Sequence, residues 1–272
     1  MRKVLFYIVF KKMSQSCISN LSYAYSPFFV HLAIFPDVIV GDSAGMVMLG
    51  YEDTTSVTMD DMIRFTTAVK NARKNSLIVS DLPINSYNTK EDAITNSLKL
   101  IEAGADAVKL EGGKEIAQII KAITELKIPV MGHLGLLPQT AKKYTVQGKT
   151  KEDAIELIKD AKIITESGVF SIVLEMISSQ VAKIITEKIP VPTIGIGSGK
   201  DCDGQVLVVH DMLGLFEKIK PKFAKRYLSL SEEIRNAVKS YVMEVKEKKF
   251  PAIENEFQMD ESEYNKMRKE IV

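Results

Sequence analysis

Five short apolar runs in this chain end the same way. They read Val38-Ile39-Val40-Gly41-Asp42-Ser43, Leu77-Ile78-Val79-Ser80-Asp81, Ala107-Val108-Lys109-Leu110-Glu111, Pro129-Val130-Met131-Gly132-His133 and Ile172-Val173-Leu174-Glu175. Each passes from aliphatic residues to a charged or hydrogen-bonding side chain. A parallel strand covered on both faces reads as a continuous apolar run, because neither face meets water. In an α/β barrel, chemistry sits where such strands end. The runs therefore aim four acids, a lysine and a histidine at one common face. They predict an α/β enzyme with a metal site.

Amphipathic stretches alternate with the runs. Residues 59–73 place Met62, Phe65, Val69 and Ala72 at helical spacing. Residues 89–103 open on Thr89 as an N-cap, carry Glu91 and Asp92 in the first turn, and stop at Gly104. Residues 114–126, 150–167 and 179–189 read as further helices, and 192–197 and 206–211 as further strands. Strand, helix, strand at this rhythm implies βαβ units and a parallel sheet. The count from Val38 is seven strands, so an eighth is expected within residues 18–25. The length of 272 residues suits one (β/α)8 barrel, which takes about 250. Beyond Gly214, residues 218–227 read as a basic loop. Residues 231–249 read as a helix capped by Ser231-Glu232-Glu233, with Ile234, Val238, Tyr241, Val242 and Val245 inward and Pro251 ending it. The expected organisation is an atypical lead-in over 1–37, a catalytic barrel over 38–250 and a mobile tail over 251–272, together one domain.

Composition narrows the partners. A net charge of +1, from 36 basic and 35 acidic residues, gives no global field for nucleic acid or an anionic membrane. Cys17 and Cys202 form no CxxC pair, so neither a disulfide framework nor a zinc site is expected, and a reducing cytoplasmic setting is the default. The start, Met1-Arg2-Lys3 and an apolar run to Phe10, resembles a signal peptide. The run is short, Lys11-Lys12 ends it, no small-residue cleavage site follows closely, and it cannot span a bilayer.

Asp42, Asp81 and Glu111 are hard oxygen donors at successive strand ends, a set that suits magnesium better than zinc. The plainer reading makes them helix caps or partners of surface lysines. Lys109 lies two residues before Glu111, so both point to one side of a strand, the barrel interior. An inward lysine needs a partner or an anion. It is read as a clamp for a substrate carboxylate, with a Schiff-base lysine and a simple ion pair as rivals. His133 stands between Gly132 and Gly135, which allow close backbone approach. Glu175 leaves an apolar wall, where a raised pKa would suit an acid or base. His210 is read as another strand-end histidine, and His31 is given no role. Gly195-Ile196-Gly197-Ser198-Gly199 reads as a close-packing turn, with phosphate binding as the rival.

The order of motifs carries a resemblance. Val40-Gly41-Asp42-Ser43-Ala44-Gly45-Met46, Val57-Thr58-Met59, Asp81-Leu82-Pro83, Lys109-Leu110-Glu111-Gly112-Gly113, Gly132-His133-Leu134-Gly135-Leu136 with Pro138-Gln139, Val146-Gln147-Gly148, Leu174-Glu175, Ile194-Gly195-Ile196-Gly197, Asp203-Gly204-Gln205 and Lys220-Pro221-Lys222-Phe223 follow one another. Over about residues 38–250 this resembles the ketopantoate hydroxymethyltransferase family. The resemblance implies a (β/α)8 TIM barrel of the phosphoenolpyruvate/pyruvate-like kind, assembled as a homodecamer. It implies transfer of a one-carbon unit from 5,10-methylenetetrahydrofolate, or a related pterin, to 3-methyl-2-oxobutanoate through a magnesium-stabilised enolate, giving 2-dehydropantoate for pantothenate and coenzyme A. It implies Asp42 and Asp81 as magnesium ligands, Glu111 as a near ligand through water, Ser43 and Lys109 as substrate contacts, His133 in the site and Glu175 as the catalytic acid/base.

The chain departs from the family at three places. Ser22-Tyr23-Ala24-Tyr25-Ser26 stands where a Thr-Ala-Tyr-Asp-Tyr-like first strand is usual, with Ala24 in the aspartate's place. Thr55-Ser56 replaces a Leu-Pro pair. Ala141-Lys142-Lys143 occupies a shortened loop where a Gly-Gly is usual. Two rival readings stay open: a 2-oxo-acid carbon–carbon lyase of a related barrel family, and a catalytically degenerate oligomeric barrel left open by its odd first strand.

Overall fold

The computed structural model of the chain describes residues 16–20 and 37–271. Eight parallel strands close into a barrel in sequence order. They are β1 Ser16–Asn20, β2 Asp37–Val40, β3 Leu77–Asp81, β4 Ala107–Glu111, β5 Val130–Gly135, β6 Ser171–Glu175, β7 Thr193–Ile196 and β8 Gly204–Val208. The helices are α1 Ala44–Val47, α2 Met59–Ala72, α3 Lys90–Ala103, α4 Ala117–Glu125, α5 Lys151–Glu166, α6 Ser179–Lys188, α7 Val209–Leu213, α8 Leu230–Lys246 and α9 Glu261–Glu270. The chain divides into two compact units, Met1–Tyr227 and Leu228–Val272.

Three barrel helices start on one local device. Thr58, Thr89 and Thr150 cap α2, α3 and α5, each hydroxyl accepting from the backbone N–H of an aspartate three residues on, Asp61, Asp92 and Asp153. The cap satisfies one of the donors a helix start leaves open, and the acid complements the helix dipole. Gly104 closes α3 at φ 111°, a left-handed position that glycine tolerates.

The strands alternate with period two. Ile39, Val79, Ala107, Met131, Val173, Ile194, Ile196 and Val206 form an apolar plug inside the barrel. Their neighbours in sequence, Val38, Val40, Ile78, Val108, Leu110, Val130, Ile172 and Leu174, face the helices and join Met62, Phe65, Leu100, Ile120, Ile123 and Ile164 in the main core. On β4 the inward row runs Ala107, Lys109, Glu111, apolar first and then charged. The register sets Asp81 beside Lys109 and Glu111 beside His133.

Several expectations change. The closing strand is Ser16–Asn20, pairing with β2 and β8, earlier than the expected 18–25. With that strand the barrel is closed, which removes the ground for an open, degenerate barrel. The family-like segment Ser22–Ser26 and His31 lie outside the described residues. His210 is not at a strand end but inside α7, because β8 stops at Val208. The expected 114–126 helix splits into a 3-10 turn, Lys114–Ile116, and α4. The Gly113 N–H donates to Glu115 at 2.7 Å and holds that tight turn. Helix α8 begins after Ser229, whose side chain makes no cap bond, and Ser231 lies within it. The stripe read as inward on α8 is exposed: Ile234, Val238, Tyr241, Val242 and Val245 all stand in the open, since periodicity marks an apolar face but not what covers it. The last segment carries a 3-10 turn, Ile253–Asn255, and α9.

Candidate functional site

The strand ends deliver seven side chains to one place. Asp42 and Ser43 follow β2, Asp81 ends β3, Lys109 and Glu111 come from β4, His133 from β5 and Glu175 from the end of β6. All seven line one cavity of about 1000 Å³. Asp42, Asp81, Lys109, Glu111 and His133 are buried. Glu175 keeps 15% of its side chain exposed, so it stands nearer to solvent than the rest. Gly135 makes room for this crossing: it has φ 99°, and a Cβ there would meet the Glu175 carbonyl oxygen at 2.1 Å.

The contacts form one network. Lys109 Nζ lies 3.0 Å from Asp81 Oδ2 and 3.9 Å from Glu111 Oε1. His133 Nδ1 lies 3.2 Å from Glu111 Oε1 and 3.3 Å from Lys109 Nζ. His133 Nε2 lies 3.3 Å from Glu175 Oε2, close enough to attract but not aligned as a hydrogen bond. The Asp42 backbone N–H donates to Asp81 Oδ2 at 3.2 Å. Asp81 Oδ1 is buried without a hydrogen-bond partner among the described residues. A buried carboxylate oxygen without a donor is costly unless something else meets it.

Charge and burial set the titration of the cluster. Burial, then the charges of Asp81 and Glu111, push Asp42 up to about 8. Burial also raises Asp81, against the pull of Lys109. Burial would raise Glu111 too, but His133 and Lys109 bring it below the ordinary range. Burial would lower Lys109, yet Asp81, Glu111 and Asp42 hold it above its usual value and keep its proton on. Burial and Lys109 oppose the His133 charge, but Glu111 lifts it to about 9. By formal charge, four carboxylates face two cations, Lys109 and His133. Burial and like charge hold Asp42 and Asp81 above the ordinary carboxylate range, and a divalent cation placed among them would relieve that repulsion and favour their ionised forms.

The residues fit a hard cation. Among the described residues, no three His, Cys, Asp or Glu side chains converge tightly enough to hold an ion by themselves. Magnesium asks for less: one or two carboxylates, water, and oxygens of the substrate. Asp81 Oδ1 offers an unpartnered donor. Both oxygens of Glu111 are engaged, Oε1 by His133 and Oε2 by the Gln139 backbone N–H at 3.1 Å. That leaves Glu111 better placed to meet an ion through water than directly.

Two residues with no assigned role in the sequence reading enter the network. Gln139 Nε2 donates to Asp42 Oδ2 at 2.8 Å, and the Tyr87 hydroxyl donates to Gln139 Oε1 at 2.6 Å. Gln139 was visible only as part of the Pro138-Gln139 motif, and Tyr87 carried no signal. His210 does not join the cavity lining among the described residues. Gly197 and Gly199 do line it. A Cβ on Gly199 would meet that of Ser179 at 2.6 Å, in keeping with a close-packing turn.

Comparison with known proteins agrees. The family model described as ketopantoate hydroxymethyltransferase matches residues 12–253. A 3-methyl-2-oxobutanoate hydroxymethyltransferase of Nitrosopumilus maritimus (strain SCM1) is 60% identical over 238 residues, 86% of this chain and 85% of that protein. One from Cenarchaeum symbiosum (strain A) is 55% identical over 230 residues, 83% and 88% of the two chains. Among solved structures, phosphoenolpyruvate phosphomutase from Streptomyces platensis subsp. rosaceus aligns at TM-score 0.63 with 12% identity, covering 99% of this chain and 96% of that one. A phosphonopyruvate hydrolase, solved as a complex with oxalate and Mg++, aligns at 0.60 with 11% identity, covering 93% and 92%. The structural likenesses speak for the fold alone.

Proposed function

The chain belongs to the ketopantoate hydroxymethyltransferase family, and from that premise we propose which side chains do the chemistry and with what helpers. It is an enzyme of hydroxymethyl transfer to 3-methyl-2-oxobutanoate, giving 2-dehydropantoate in pantothenate biosynthesis. The observation that carries the mechanistic reading is the cluster of four carboxylates, three of them buried, around Lys109 and His133.

Asp42 and Asp81 would hold a magnesium ion, with Glu111 reaching it through water. Bound there, the ion supplies a Lewis acid that polarises the 2-carbonyl of the keto acid. Lys109 offers a fixed positive charge to the keto acid's carboxylate, and Ser43 lines the same cavity. A Schiff base would need a neutral amine, and the three acids around Lys109 keep its proton in place. Glu175, the most exposed acid of the cluster, takes the proton from C3 of the keto acid. His133 lies between Glu111 and Glu175 and steadies both. The cavity of about 1000 Å³ leaves room beside a five-carbon keto acid for the one-carbon carrier, 5,10-methylenetetrahydrofolate or a related pterin.

The assembly and the compartment belong to the same proposal. A homodecamer would give the exposed apolar stripe of α8 something to cover it. Among the described residues no helix is long and apolar enough to cross a membrane, and Cys202 is free and buried. Both observations are compatible with the cytoplasm.

The test is direct. Purified chain with magnesium, 3-methyl-2-oxobutanoate and methylenetetrahydrofolate or formaldehyde is expected to form 2-dehydropantoate. Glu175→Gln, which keeps the shape and removes the base, is expected to lower kcat by about 10²–10⁴-fold. Near-normal turnover in that variant would remove Glu175 from the mechanism. Carbon–carbon cleavage without a one-carbon donor would point to the lyase reading.

A further inference from the structure

We propose that Gln139 is a positioning residue for the divalent cation and the keto acid, with Tyr87 fixing its amide. The inference rests on the function proposed above, and it concerns two residues to which that function gives no part.

Gln139 is 2% exposed and every polar group of its side chain is used. Nε2 donates to Asp42 Oδ2 at 2.8 Å and to the Leu82 carbonyl oxygen at 2.9 Å. Oε1 accepts from the Tyr87 hydroxyl at 2.6 Å. The backbone N–H donates to Glu111 Oε2 at 3.1 Å. The amide can face only one way. A carbonyl oxygen accepts and never donates, so the nitrogen must turn to Leu82 and the oxygen to Tyr87. Both amide hydrogens are then spent.

One residue thus grips two acids of the cluster, Asp42 by its side chain and Glu111 by its backbone. Neither Gln139 nor Tyr87 is among the described residues that line the cavity. They act through the carboxylates, not on the substrate. A carboxylate held at one oxygen presents the other at a set angle, and losing such an outer contact typically costs a metal site about 10–100-fold in affinity or activity. Without the amide, Asp42 Oδ2 and the Leu82 carbonyl lose a donor in a buried place, and the carboxylate is free to turn.

The experiment compares Gln139→Leu, Tyr87→Phe and the double variant with the wild type. Two quantities are read: the apparent Mg2+ Kd, from the thermal shift with MgCl2 alone, and steady-state kinetics for each substrate. Gln139→Leu is expected to weaken Mg2+ binding and lower kcat/KM for the keto acid by about 10–100-fold. The KM for the one-carbon donor should stay near the wild-type value, a split that general loosening of the fold would not give. Tyr87→Phe should show a smaller loss in the same direction. Added to Gln139→Leu it should cost little more, since the hydroxyl's short bond is to the amide, 2.6 Å against 3.4 Å to the Glu111 carbonyl oxygen.

Mg2+ affinity and keto-acid kcat/KM near the wild-type values in Gln139→Leu would overturn the proposal, as would full additivity in the double variant. If Gln139→Leu does not fold, Tyr87→Phe decides, and unchanged values there overturn it. A wild type that binds Mg2+ but makes no product overturns the proposed function, while the Mg2+ arm still judges Gln139. A wild type that turns over without Mg2+ sinks the positioning role and leaves the transfer reaction standing.

Discussion

Lys109 is the residue on which the charge of the cluster turns. It meets Asp81 at 3.0 Å, lies within 3.9 Å of Glu111, and is 5% exposed. Burying an ammonium is unfavourable, and only the surrounding acids make it tolerable. Lys109→Met keeps the length and removes the charge, so it leaves those acids buried without their cation. Breaking a buried pair from one side typically costs about 3–5 kcal/mol. We expect a loss of that order in urea unfolding of the metal-free protein, partly restored by Mg2+, and loss of keto-acid turnover. Unchanged stability without metal would mean that the acids are not ionised together. At this scale the strand-end residues were legible in the sequence. Asp42, Asp81, Glu111, His133 and Glu175 each close an apolar run, which shows where a strand ends, and Lys109 interrupts one such run on the same side as Glu111. Gln139 and Tyr87 were not legible. They sit in loops, where no period ties a residue to a face, and their partners are 97 and 52 positions away in sequence, Asp42 and Gln139.

Elements were read as well as their own pattern allowed. Helices α2, α3 and α5 have both a stripe and a threonine cap, and the structure places them within a residue of the expected spans. Strand β1 has the sequence Ser-Cys-Ile-Ser-Asn, with one aliphatic residue, and so gives no apolar run to find. Helix α7 was misread because Val206 to Val209 is apolar throughout, which suits either a strand or a helix start. The consequence is testable at His210, buried in α7. Burial holds this imidazole down at about 4, against about 6.5 unfolded. Between those values the unfolded chain binds a proton that the folded chain refuses. Stability from this group is therefore present above about pH 6.5 and lost as pH falls towards about 4. His210→Gln cannot titrate there, so its unfolding free energy should fall less than the wild type's between pH 6.5 and 4.5. Equal losses in the two proteins would show that His210 takes its proton in the fold.

For the whole molecule, charge is placed rather than accumulated. The chain carries a net +1, yet four acids gather at one end of a closed barrel whose other interior layers are apolar. The plug of Ile39, Val79, Ala107 and Met131 excludes water beneath the cluster and strengthens every charge above it. The fold class was legible from the rhythm of runs and helices. The closure of the barrel was not, because it depends on a strand with no run of its own. The central claim is that this charged end grips one divalent cation together with a keto acid. It is tested most directly by a crystal structure of the chain with Mn2+ and 3-methyl-2-oxobutanoate, read by anomalous scattering. The account predicts one ion per chain bonded to carboxylate oxygens of Asp42 and Asp81, with Glu111 within reach of one bridging water and oxygens of the keto acid completing the sphere. An ion seated elsewhere, or a keto acid held in the cavity with no ion between it and those two aspartates, would contradict it.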